Sequence, residues 1–137
     1  MEERTVRFCV SLPESLLNEL DERVICKGYA SRSEFVRDLI RDLLSKERWE
    51  DNQEAIGVLS IVYDHHDREL LYKLLDLQHK HYMNVLCSTH LHLDHHNCLE
   101  VLILKGKAKD LELLSTSISG LRGVKLSRLS GIAFPEL

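Results

Sequence analysis

Residues 78–100 contain six of the chain's eight histidines and two of its four cysteines, and every histidine lies between residues 65 and 96. His90 and His92 are two apart, so on a strand both imidazoles leave the same face. Cys98 begins the next apolar run after a short turn and can return to that face. His79 sits near the end of the helix expected before them. Imidazole and thiolate donors suit nickel, copper and zinc. Three nitrogens and one thiolate make a tetragonal site for Ni(II) or Cu(II), or a tetrahedral one for Zn(II), and spacing leaves that choice open. His79, His90, His92 and Cys98 are therefore the candidate ligands. His65, His66, His81, His95 and His96 read as solvated surface. Cys87 has the opposite parity to His90 and His92 and reads as a core thiol. Cys9 and Cys26 have no histidine nearby.

The stretch T-H-L-H-L-D-H at 89–95 also matches the H-x-H-x-D-H signature of metallo-β-lactamase hydrolases, in which an Asp assists a metal-bound hydroxide. That fold needs further ligands far downstream, and here no histidine follows His96. No Ser-His-Asp order and no Gly-rich phosphate loop offers another enzyme, so the chain is expected not to be one.

Six elements must position the candidate ligands. Ile56–Tyr63 reads as a strand, 65–81 as a helix, 85–93 and 98–104 as strands, 107–120 as a helix and 123–132 as a last strand. The order β-α-β-β-α-β is the ferredoxin-like split pattern. Upstream, residues 4–12 alternate: Val6, Phe8, Val10 and Leu12 point one way, and Thr5, Arg7, Cys9 and Ser11 the other. Pro13 is expected to open a helix with an apolar stripe of Leu16, Leu17, Leu20 and Val24, ended by Gly28. Ser31 and Glu34 form a capping box for a second helix carrying Phe35, Val36, Leu39, Ile40, Leu43 and Leu44 on one face. The fold class is thus α+β: an N-terminal domain (1–48), a polar linker (49–54) and a C-terminal ferredoxin-like domain (55–137).

A strand–helix–helix unit of 48 residues buries too little surface to stand alone, and its single strand has no partner. It is expected to dimerise by pairing that strand with a second copy. A two-stranded ribbon fits the DNA major groove, so Arg7, Cys9 and Ser11 are candidate base-reading residues. Residues 31–33 at the start of the second helix offer free N–H groups to a phosphate.

The chain has 137 residues, 44% hydrophobic and 29% charged, with a formal net charge of −4. The composition is globular, and attraction to nucleic acid must come from a local patch. No apolar run is long enough to span a membrane, and the first ten residues lack the apolar core of a signal peptide. A cytoplasmic protein with reduced cysteines is expected.

The first 48 residues, through G-Y-A-S-R-S-E and F-V-R-D-L-I, resemble the ribbon-helix-helix repressors. Taken with R-S-E-F-V-R-D at 32–38, G-V-L-S-I-V-Y-D-H at 57–65 and H-L-H-L-D-H-H-N-C-L-E at 90–100, the whole chain is similar to the nickel-responsive regulators of the NikR family. The resemblance implies an ACT-like C-terminal domain at the core of a homotetramer, a dimer of dimers. It implies one square-planar Ni(II) per subunit, held by His90, His92 and Cys98 of one subunit and His79 of another. It further implies metal-dependent binding to a palindromic operator and repression of nickel-uptake genes. Glu34 and Asp38 match a pair that holds a second cation at the domain interface, although the residues by themselves read as a capping partner and a solvated helix face. Arg68 matches a position that contacts the DNA backbone. Cys9 and Ser11 stand where the best-known members use Thr, and Asp67 where a basic phosphate contact can occur. The alternative reading is a metal-independent ribbon-helix-helix protein whose histidines buffer metal.

Overall fold

The computed structural model describes residues 3–133, so the outermost residues of both expected domains, 1–2 and 134–137, lie outside it. By its internal contacts the chain divides into two units, residues 1–41 and 42–137. In the first, residues 3–13 precede helix α1 (Glu14–Cys26), and helix α2 (Arg32–Glu50) begins there and runs on into the second. The second continues with β1 (Glu54–Tyr63), α3 (Arg68–Lys80), β2 (Val85–His92), β3 (Cys98–Lys107), α4 (Ala108–Ser119) and β4 (Val124–Ala133).

The expected N-terminal strand is not formed in the single chain: residues 4–12 carry no strand. A strand is defined by its ladder, and among the described residues this segment pairs with no other strand. Val6, Phe8 and Val10 are accordingly 75%, 72% and 61% exposed. Pro13 is the cap of α1 rather than its first helical residue, and its carbonyl accepts from Leu17 N. The helix ends as expected. Gly28 takes a positive φ of 73°, its N–H reaches Ile25 O, and Tyr29 N–H reaches Val24 O, which closes the last turn with paired back-bonds. Ser31 Oγ accepts from Glu34 N at 3.2 Å, one half of the expected capping box. Arg32 grips Asp21 of α1 with Nε and Nη2 at 2.6 and 2.7 Å. Phe35, stacked at a tilt on Tyr29, is the one buried side chain of the two helices among the described residues.

The linker expected at 49–54 is largely something else. Helix α2 runs through Trp49 and Glu50, and Asn52 then adopts φ 57° to end it. Asn52 Oδ1 also accepts from Lys109 N at 2.9 Å, at the start of α4. Trp49 explains the extension. Its indole donates to Glu112 Oε1 at 2.6 Å and its ring lies against Gly131 of β4, where an added Cβ would stand 2.2 Å away. Ser45, one turn earlier, accepts from the edge amide of Ala133.

The sheet is fully antiparallel in the order β2-β3-β1-β4. This is the expected ferredoxin-like arrangement. Alternation along β1 and β3 places Ala55, Leu59, Ile61, Tyr63, Cys98, Leu102 and Leu104 on one face, where Leu70 and Leu74 of α3 and Leu111, Leu114 and Ile118 of α4 close the core. Asp67 caps α3 by accepting from Leu70 N at 3.0 Å. The other face carries Ile56, Val58, Val62, Leu99, Val101 and Ile103 with no helix over it. Cys87 pairs with Ile103 on that open face and is exposed, so it is not the core thiol expected from parity alone. Parity correctly opposes it to His90, but the face it shares is uncovered within the protomer.

Two substitutions test these local accounts. Gly131→Ala drives a methyl into the Trp49 ring and should cost about 1–3 kcal/mol, read as a lowered urea midpoint at fixed protein concentration. Asp67→Ala removes the cap of α3 and should cost about 1 kcal/mol in the same assay.

Candidate metal centre

The hairpin β2–β3 builds the centre. Its register pairs His92 with Cys98 and His90 with Glu100, and directly opposed side chains share a face. All four therefore project to the helix-covered side, at the free edge that β2 forms. The turn between the strands is fixed by Asp94. Its Oδ1 accepts from His96 N and Asn97 N at 2.8 Å each, and its Oδ2 from Asn97 Nδ2 at 2.7 Å. The Asn97 side chain, then the two backbone amides, hold the Asp94 carboxyl down at about 2. Lys125 of β4 donates to Asn97 Oδ1 at 2.5 Å and ties the turn to the far side of the sheet.

Within this frame His90 Nδ1 lies 3.8 Å from Cys98 Sγ. Nitrogen and thiolate bonds to one metal of about 2.0 and 2.3 Å put cis donors about 3.1 Å apart at a right angle and about 3.5 Å apart at a tetrahedral one. A closure of about 0.3 to 0.7 Å would bring the two onto one ion. His92, opposite Cys98, is on the same face, and its ring contacts His65 edge-on at 4.7 Å. Cys98 is buried and His90 half-exposed, so the thiol is shielded while the site opens outward. The donor set fits a thiophilic, imidazole-binding metal such as nickel. His79 is exposed in the last turn of α3. Among the described residues it shares no hydrogen bond, ion pair or ring contact with the other three, so one protomer brings His90 and Cys98 into contact and places His92 on the same face, without gathering the donor atoms of all three within 4.8 Å of one another.

Three residues that the sequence reading passed over stand behind the ligands. Glu100, 2% exposed, accepts from Tyr63 OH at 2.8 Å and from Gln78 Nε2 at 3.0 Å. Burial, then Glu100, pushes the Tyr63 hydroxyl far above its ordinary pKa, so it stays a donor. The sequence does carry a signal for Glu100: in C-L-E-V-L-I-L it is the charged residue at an inward parity.

A second gathering lies beside the first. Donor atoms of Asp64, His65 and His66 fall within 4.8 Å of one another, enough to hold a cation. The rings of His95 and His96 approach His66 at 5.5 and 5.9 Å. His65 Nδ1 is buried without a hydrogen-bond partner, and burial, then His66 and His92, depress that imidazole's pKa. The sequence reading treated these histidines singly as solvated surface, because sequence distance hides the meeting of 64–66 with 95–96.

In the first unit Arg7, Cys9 and Ser11 are exposed on the segment before α1. Glu34 and Asp38 lie one turn apart on α2. Asp38 already accepts from Tyr29 OH at 2.8 Å and faces Arg41 at 3.6 Å. Arg68 is exposed as the first residue of α3.

Comparison with known proteins bears on both units. The family described as the NikR C terminal nickel binding domain matches residues 56–132, and that described as ribbon-helix-helix protein, copG family, matches residues 6–47. Putative nickel-responsive regulators are similar along nearly the whole chain. That of Helicobacter hepaticus is 50% identical over 95% of this chain and 96% of its own. That of Campylobacter concisus is 47% identical over 96% of each. That of Helicobacter pylori strain P12 is 51% identical over 91% of this chain and 87% of its own. Neither matched domain is enzymatic, and no helix among the described residues is long and apolar enough to cross a membrane. The chain belongs to the NikR family of nickel-responsive, ribbon-helix-helix transcriptional regulators.

Proposed function

We propose that His90, His92 and Cys98 hold one Ni(II) per subunit, that His79 of another subunit completes the set, and that the loaded protein binds a palindromic operator as a cytoplasmic repressor of nickel-uptake genes. The observation that carries this reading is the 3.8 Å approach of His90 Nδ1 to Cys98 Sγ on a face shared with His92. Bound nickel supplies a cation that accepts thiolate and imidazole together.

Assembly is supported by what each protomer leaves uncovered. The apolar residues before α1 need a ladder partner, and a second copy supplies one antiparallel to the first. A ribbon built in this way has a two-fold axis, and a two-fold reader matches a palindromic site. Arg7, Cys9 and Ser11 then form the groove-facing row. The open sheet face, with Leu91 55%, Leu126 68% and Ile132 53% exposed, supports a second interface and hence a tetramer.

The coupling follows from helix α3. His79 lies in its last turn and Arg68 at its start, about 17 Å away along the axis. A site completed by His79 of a neighbouring copy forms only in the assembly, so ligand binding and quaternary order are linked. Fixing the His79 end restrains the helix that presents Arg68 to the DNA backbone. The effect is a shift among arrangements already accessible, limited by the difference in metal affinity between them.

Two substitutions separate the sensor from the reader. Cys98→Ala should abolish the thiolate-to-nickel absorption band and nickel-dependent operator binding. DNA binding that persists without metal would favour the buffering alternative. Arg7→Ala should weaken operator binding about 10-fold or more, as expected for a lost base contact, with nickel affinity unchanged.

A further inference from the structure

We propose that Trp49 is a positioning residue for operator binding: it fixes the end of α2 to the second unit and leaves residues 41–44 as the place where the angle between the two units can change. The inference rests on the reading of the chain as a nickel-dependent DNA binder. It is independent of which residues hold the nickel.

The boundary between the units falls between Arg41 and Asp42, inside α2 and well before the polar stretch that reads as a linker. From Ser45 onward one bond to the second unit follows another. Ser45 Oγ accepts from Ala133 N at 3.2 Å. The Trp49 indole donates to Glu112 Oε1 of α4 at 2.6 Å, and its ring packs on the core against Gly131 of β4. Asp51 N, Asn52 N and Gln53 N donate to Glu47 O, Trp49 O and Arg48 O at 2.9, 3.1 and 3.0 Å, which closes the turn after the helix. Asn52 Oδ1 and Gln53 O accept from Lys109 N and Ala108 N at 2.9 and 3.2 Å, and Glu54 opens β1 opposite Lys107. Trp49 is the one apolar side chain between Ser45 and Glu54. Water competes for the exposed hydrogen bonds, so the ring seated on the core is what makes this anchor hold.

Residues 41–44 differ. All four are exposed. Arg41 faces Asp38 of the same helix at 3.6 Å, and among the described residues no hydrogen bond or ion pair joins Asp42, Leu43 or Leu44 to another element. A helical turn held by its own ladder bends or opens at lower cost than one sealed to a core.

The consequence is for DNA. The proposed contacts come from both units, Arg7 from the first and Arg68 from the second, so one duplex must meet them together. Two groups on one tether reinforce each other only as far as the tether presets their spacing. Loosening residues 45–54 would add arrangements in which one group misses, and binding would have to exclude them. Nickel affinity should not follow, because Trp49 packs on α4 and β4 and the candidate ligands lie on α3, β2 and β3.

The test uses the full-length protein and a palindromic duplex selected from random DNA by the nickel-loaded wild type. Trp49 is the chain's only tryptophan, so its fluorescence reports on the anchor directly. Acrylamide quenching of the wild type should be the same in the metal-free, nickel-loaded and DNA-bound forms. Hydrogen exchange should find the amides of residues 51–53 protected in all three, with the changes in α2 confined to the turn before Ser45. Trp49→Ala should weaken nickel-loaded duplex binding about 10-fold or more at unchanged nickel affinity. Trp49→Phe keeps a ring on Gly131 and should restore most of the loss. Glu112→Ala removes the acceptor of the indole; it should weaken duplex binding in the same direction and stands in if Trp49→Ala fails to fold. Quenching that rises on nickel or DNA binding overturns the proposal, since the pivot would then lie at the anchor. So does an equal loss of nickel and duplex affinity in Trp49→Ala, which would mark a packing role, or wild-type duplex affinity in both alanine variants. If no duplex is selected, the DNA-binding reading fails instead, and quenching of the metal-free and nickel-loaded protein still decides whether the anchor stays closed.

Discussion

The register of one hairpin governs the rest of the structure. Because His92 opposes Cys98 and His90 opposes Glu100, four chemically active side chains leave the same face of a two-stranded segment. A slip of one residue would send both histidines to the open face and leave Cys98 and Glu100 buried without them. The turn at 94–97 is therefore more than a connection. Asp94 accepts three hydrogen bonds from residues 96 and 97, and Lys125 anchors Asn97 from β4. Those bonds fix the loop length, and the loop length fixes the register.

A second constraint is the apolar surface that a protomer cannot bury. The N-terminal alternation, the open sheet face and the free edge of β2 all lack partners among the described residues. All three are strand or sheet surfaces, which bury by pairing with like surfaces. The same alternation that forms the strands thus leaves surfaces of the kind that pair with one another. It also leaves the edge that carries His90 and His92 open.

Much of this was legible in the sequence because alternation and caps are local. The strand periods around Ile56–Tyr63 and from Cys98, the cap at Ser31 and the stop at Gly28 needed no tertiary information. The pairing of His90 and His92 with Cys98 followed from parity and a short turn. The failures were tertiary. Trp49 extends α2 through a polar stretch because it packs on Gly131, some 80 residues away, and no local signal announces that contact. Cys87 was placed by parity on the correct face but assigned the wrong burial, since no described element of the chain covers that face. The meeting of Asp64, His65 and His66 with His95 and His96 requires the antiparallel order β3-β1, which brings the end of β1 beside the β2–β3 turn. Glu100 was readable as a charge at an inward position, but its partners Tyr63 and Gln78 lie on β1 and α3.

Helix α3 shows how one element reconciles competing demands on its residues. Asp67 departs from the basic residue that a phosphate contact would favour, and the structure supplies the reason: its carboxylate caps the helix at Leu70 N. A lysine or arginine there could not accept that amide and would meet the positive end of the helix dipole. Arg68, one residue later, is exposed and free of the capping task, so a cation stands beside the anion that stabilises the helix. At the other end Gln78 is turned inward to Glu100 while its neighbour His79 is exposed. Consecutive residues of a helix point about 100° apart, so one turn can hold the sheet with one side chain and leave the next exposed. That division lets a single helix be anchored, capped and still present chemistry at both ends.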